Sequence, residues 1–204
     1  MPWLKRRLRI TLERITGHDF SSTIPQNKLG FSSSEINLGS PSDQRTLKEI
    51  FNNMNITCSD RILDIGCAKG FAINYFLRFP FAKVAGLEIS ERLVSICENN
   101  LNRKGDPRAE VILADATQFD GYGDYNYFYL YNPFPSREIL EQVVLKIVLH
   151  AADEITIIYN NALNSDVLTD IGFLLQKKIK DPASIEKDVL IFSKKPTVAS
   201  HSDL

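Results

Sequence analysis

The sequence predicts an α/β fold, with a doubly wound, mostly parallel sheet of seven strands, helices on both faces, and a C-terminal antiparallel hairpin that reverses the last strand. Three observations carry this. From Arg61 onward, short β-branched and aromatic runs alternate with stretches of helical periodicity, and strands separated by helices pair in parallel. "YNYFYLY" and "ITIIY" are almost continuously apolar or aromatic, as central strands covered on both faces are. "GFLLQKKIKD" and "KDVLIFSKK" are strand-like but joined only by "PASIE", too short for a helical crossover, so they turn back on each other.

Residues 3 to about 16 read as a helix, with Trp3, Leu4, Leu8, Leu12 and Ile15 on one stripe and most basic residues off it. "SSTIPQNKLGFSSSEINLGSPS" follows, rich in Ser, Gly and Pro, and reads as an extended connector. A second helix starts at Pro41 and Ser42 and runs to about Met54. Strands are expected at 61–65, 82–88, 109–114, 125–131 and 154–159, and helices at 71–79, 90–102 and 136–150. The chain thus divides into an N-terminal basic helix and connector (1–40), a core domain (41–195) and a tail (196–204) expected to fray.

Composition sets limits on function. With 204 residues, 44% of them hydrophobic, the chain suits one domain with a continuous core and leaves no room for a second catalytic domain. A net charge of −1 points to neither nucleic acid nor an acidic partner, yet the charge is unevenly spread. Residues 1–20 hold Lys5, Arg6, Arg7, Arg9 and Arg14 against Glu13 and Asp19, a net +3, which leaves −4 for the rest. Cys58, Cys67 and Cys97 form no CxxC pair and the chain has three histidines, so neither a disulfide framework nor a zinc site is expected. No apolar run approaches the roughly 20 residues of a spanning helix, and the N-terminus lacks a signal-peptide core, so a reducing cytoplasm is the expected location.

The densest chemical signal is "RILDIGCAKG", a strand that breaks into a glycine turn and opens directly onto a helical pattern, a combination that suits a nucleotide. Spacing separates the candidates. A P-loop needs Lys followed by Ser or Thr after its last glycine, whereas here Lys69 precedes Gly70 and Phe71 follows it. A dinucleotide fingerprint would place glycines at 66, 68 and 71, where this chain has Gly66, Ala68 and Phe71. What remains is Asp64-x-Gly66-x-Ala68-x-Gly70, an acid at the strand end with Gly or Ala at alternate positions.

That pattern resembles motif I of class I S-adenosylmethionine (SAM) dependent methyltransferases, and the resemblance runs down the chain over about residues 40–194. It implies SAM as cofactor, held by Asp64, Gly66, Cys67, Ala68 and Gly70 of the turn. Glu88 and Ile89, at the end of "VAGLEIS" and 18 residues or more beyond Gly70, are expected at the ribose. In "ILADATQFD", Asp115 is expected at the adenine amino group and the Ala116 backbone N–H at a ring nitrogen. Three acids at successive strand ends also suit a ligand that carries a cationic sulfonium in place of a pyrophosphate.

Asn132, Pro133 and Phe134 resemble the Asn-Pro-Pro-aromatic motif of methyltransferases that act on nitrogen, with the second proline missing and the aromatic one place early. The resemblance implies that the Asn132 oxygen receives the acceptor N–H while Phe134 stacks on the acceptor, and it gives Asn132 a place beside the cofactor too. The acceptor is expected to be a small molecule, a glycan or a protein side chain, with nucleic acid disfavoured because no broad basic face is visible. Tyr131 and Phe31 are candidates for the acceptor pocket, whereas His18 and His150 read as surface or capping residues. The helix at 3–16 either packs over the sheet or the SAM cleft, or meets an anionic surface, membrane or glycan, through its basic cluster. A second functional class stays open: a SAM-fold module that acts through protein contacts, with Ala68 and the shortened Asn-Pro-Phe run as its support.

Overall fold

A computed structural model describes residues 2–25, 29, 42–52, 54–151, 154–182, 184 and 187–195, with the side chains of 2–6 left aside. Phe31, most of the connector and the tail therefore lie outside the described residues. The elements are α1 (Pro2–Ile15), α2 (Gln44–Phe51), β1 (Arg61–Ile65), α3 (Phe71–Phe76), β2 (Lys83–Glu88), α4 (Glu91–Asn102), β3 (Ala109–Leu113), β4 (Tyr127–Tyr131), α5 (Arg137–His150), β5 (Ile155–Asn160), α6 (Asp166–Asp170), β6 (Leu174–Lys180) and β7 (Asp188–Lys194).

The seven strands form one sheet in the order β3-β2-β1-β4-β5-β7-β6. The first five are parallel, and β7 enters antiparallel between β5 and β6. Strand order reverses between β1 and β4, the switch point of a doubly wound sheet. Ile62, Phe76, Phe51 and Tyr129 pack in a core on one face, and Leu63, Phe128, Leu140 and Ile147 in a core on the other. Such two-sided burial is why "YFYLY" and "ITIIYN" lack polar alternation. β6 is the outer strand, and exposed lysines at 177, 178 and 180 suit an edge that must not pair further.

The sequence-level boundaries move where caps intervene. α2 begins at Gln44 because the Asp43 carboxylate accepts the Arg45 N–H and caps it. α3 is shorter than expected: Arg78 and Phe79 donate to carbonyls three residues back, which tightens the chain before Pro80. The Arg108 guanidinium then satisfies the carbonyls of Leu77 (2.8 Å), Phe79 (2.8 Å) and Phe81 (3.1 Å). α6, five residues long, was absent from the sequence reading because it is too short to show a period.

Candidate active site

The two loops at the switch point meet. The chain leaves β1 through Gly66 (φ +79°), whose N–H and that of Cys67 both bond the Leu87 carbonyl at the end of β2. It leaves β4 through Asn132, a left-handed residue at φ +42°, a conformation Asn tolerates better than most side chains. Pro133 closes against the glycine turn so tightly that a Cβ on Gly66 would lie 2.8 Å from the proline Cβ. Gly70 (φ +80°) ends the turn, and a Cβ there would meet the Cys97 Sγ of α4 at 2.5 Å. Glycine is thus demanded at 66 and 70 by both backbone and space.

Two buried acids lie beneath this turn. The Glu88 carboxylate accepts three backbone N–H groups, from Ala68 (2.9 Å), Ile89 (3.0 Å) and Ser90 (3.0 Å), and so ties the glycine turn to the end of β2. Burial raises its pKa while those three bonds oppose the rise. Asp64, on β1, is buried too; burial first and the nearby Glu88 charge second push its pKa up to about 8. Asp115 is exposed just past β3, and its Oδ1 accepts the Thr117 N–H at 2.8 Å and hydroxyl at 2.9 Å. The Ala116 carbonyl takes the Tyr122 hydroxyl at 2.7 Å.

On the β4 side, the Asn132 Oδ1 accepts the Tyr159 hydroxyl at 3.0 Å, a buried contact between the ends of β4 and β5 that leaves no local pattern in the sequence. Tyr131, beside it, receives the Lys187 ammonium at 3.3 Å from the start of β7. His18 sits on Thr16 and stacks with Phe20, and His150 bonds the Lys146 carbonyl within α5; neither joins the turns at the switch point.

A profile of the methyltransferase domain family matches residues 62–146, which spans both turns. Over that stretch the chain is similar to the methyltransferase domain family. Solved structures with the same fold include an RNA methyltransferase from Salinibacter ruber in complex with S-adenosyl-L-homocysteine (TM-score 0.61, 11% identity, 80% of this chain and 99% of that one). Magnesium protoporphyrin IX methyltransferase from Synechocystis PCC 6803 with bound SAM is another (TM-score 0.60, 16% identity, 74% and 79%). A SAM-dependent methyltransferase from Aquifex aeolicus is a third (TM-score 0.60, 12% identity, 72% and 88%).

Methyltransferases of the matched family use SAM, and the donor set of this chain fits it. Two buried carboxylates, one of them held largely protonated at neutral pH by its surroundings, form a site that a cationic ligand relieves electrostatically. Ala68 is the departure from the motif. It holds φ +48° while its N–H serves Glu88, so the turn keeps a left-handed shape with an alanine in it.

Sequence reasoning used Lys69 only to exclude a P-loop, and the structure gives it another role. Its ammonium, buried in the glycine turn, donates to Asp19 Oδ2 (2.7 Å), Ser22 Oγ (2.7 Å) and the Ser22 carbonyl (2.9 Å). Asn100 of α4 completes the clamp by accepting the Asp19 N–H (2.8 Å) and donating to the carbonyls of Asp19 (3.1 Å) and Lys69 (2.9 Å). The segment after α1 is thereby bolted onto the glycine turn. Residues 50 and 81 positions apart leave no local pattern, so a single sequence carries no sign of it.

Two outcomes follow from this geometry. Ala68→Gly relieves a left-handed alanine and should stabilise the fold by about 1 kcal/mol in chemical denaturation, without weakening SAM binding; a destabilised variant would contradict the strain. For Asp19, burial alone would raise the carboxyl pKa, but the hydrogen bonds from Lys69 and Ser22 and the Lys69 charge hold it below the usual range. A depressed carboxyl stabilises the fold above its unfolded pKa and loses that contribution as pH falls through the folded value. Asp19→Asn should therefore cost about 1 kcal/mol at neutral pH, with solvent screening allowed for, and the gap from wild type should close below about pH 4. A gap that persists at acid pH would remove the charge from the explanation.

Proposed function

We propose that this methyltransferase moves the SAM methyl group to a nitrogen acceptor held at the Asn132-Pro133-Phe134 turn. The observation that supports the reading is the closure of Pro133 on Gly66, which brings that turn against the glycine turn at the switch point. SAM supplies an electrophilic methyl on a sulfonium. Asp64 and Glu88 compensate the cation, Glu88 and Ile89 are assigned to the ribose, and Asp115 with the Ala116 N–H to the adenine.

Methyl transfer is a direct displacement, so the protein's work is alignment and exclusion of water rather than proton transfer by a dedicated base. The Tyr159 hydroxyl donates to the Asn132 amide oxygen and orients it. An amine that donates to that oxygen keeps its lone pair for the methyl, and the amide dipole favours the positive charge that develops on nitrogen. Phe134, half-buried beside it, gives the acceptor a face to stack on.

A small molecule, a glycan or a protein side chain fits the near-neutral net charge better than nucleic acid does. The similar structures leave this open, since two of them are methyltransferases of RNA and of a porphyrin.

Labelled SAM incubated with fractionated lysate, followed by chemical analysis of the product, identifies the acceptor. With that acceptor, Asn132→Ala should retain SAM affinity in calorimetry while turnover falls by about 10² to 10³, the usual loss for one well-placed polar contact at a reacting centre. Undiminished turnover, or a product methylated on oxygen or carbon, would refute the nitrogen assignment and leave the family unaffected.

A further inference from the structure

α1 is attached to the domain by its polar side. Arg9 lies over the Phe71 ring at 4.6 Å and pairs with Glu13, whose carboxylate also takes the backbone N–H groups of Phe20 (3.1 Å) and Ser21 (2.8 Å) and the Ser21 hydroxyl (2.6 Å). Three apolar residues face away. Leu8, Leu12 and Ile15, at the i, i+4, i+7 spacing of one helix face, are 57%, 61% and 76% exposed. Of the two expectations for this helix, packing of Leu8, Leu12 and Ile15 over the sheet is therefore not what the structure has. A helix pinned by its charges with its leucines in solvent inverts the ordinary arrangement, and contiguous exposed apolar residues mark an interaction face.

We infer that the Leu8–Leu12–Ile15 face of α1 docks this protein on an anionic lipid surface. Charge selects that occupant. α1 carries Lys5, Arg6, Arg7, Arg9 and Arg14 against the single acid Glu13, while the chain after residue 20 is net negative. A second copy brought face to face would set one basic helix against another, at a repulsive cost. Anionic headgroups instead attract the helix, and the acyl boundary receives the apolar stripe, which is the pattern of an interfacial amphipathic helix. Among the described residues no helix is long and apolar enough to cross a membrane, so the contact is peripheral. The Lys69 clamp begins four residues after α1 ends, so the docked helix holds the cofactor turn beside the surface. This goes beyond the methyl-transfer reading and stands or falls separately from it, because vesicle binding requires neither SAM nor an acceptor.

The test is co-sedimentation of the full chain with vesicles of phosphatidylcholine alone and of phosphatidylcholine mixed with phosphatidylglycerol. Wild-type protein should pellet with the mixed vesicles and stay in solution with the neutral ones. Raising salt to about 1 M, which shortens the screening length to about 3 Å, should release it. The triple variant Leu8→Gln, Leu12→Gln, Ile15→Gln should lose binding to background with an unchanged melting temperature, because these side chains contribute little to the folded core. Three results would overturn the inference: no binding to either vesicle, equal binding by the variant, or a wild-type dimer in analytical ultracentrifugation that the variant converts to monomer.

Discussion

The site depends on one buried carboxylate. Glu88 gathers the N–H groups of Ala68, Ile89 and Ser90, and in doing so joins the glycine turn after β1 to the turn after β2. Burying a charge is unfavourable unless hydrogen bonds replace the lost water, and three backbone donors do so here. The same charge raises the cost of ionising Asp64 on the neighbouring strand. Two acids held close in a dry place make a site whose electrostatics are improved by a cation, and the parallel pairing of β1 with β2 enforces their proximity.

The remaining contacts keep that arrangement rigid. Lys69 fastens the turn from the side of the N-terminal segment, Asn100 fastens it from α4, and Pro133 from β4. The turn after β4 is held independently, by Tyr159 on Asn132 and by Lys187 on Tyr131, both reaching from the β5–β7 half of the sheet. The two sets of contacts thus draw on different strands.

What was legible in the sequence follows physical range. The sheet could be read because each strand declares itself by local composition, and the hairpin because five residues cannot cross over. The turn at Gly66 and Gly70 could be read because left-handed backbone and close approach both require glycine. The Asp19–Lys69–Asn100 clamp and the Tyr159–Asn132 contact could not, since side chains far apart in sequence leave no period. The stripe on α1 was visible, but its direction was not: amphipathicity gives a face, and only the anchoring by Arg9 and Glu13 decides which way that face looks.

The central claim is that buried acids at the switch point bind SAM as a cation, and calorimetry of SAM binding from about pH 6 to pH 8 tests it most directly. A cationic ligand favours ionised Asp64, so below the free pKa of about 8 binding must displace a proton. Wild-type affinity should therefore rise with pH across that window, with a proton released to buffer, and Asp64→Asn should bind more weakly at the upper end and lose the rise. Affinity that is flat with pH and equal in the two proteins would contradict the account.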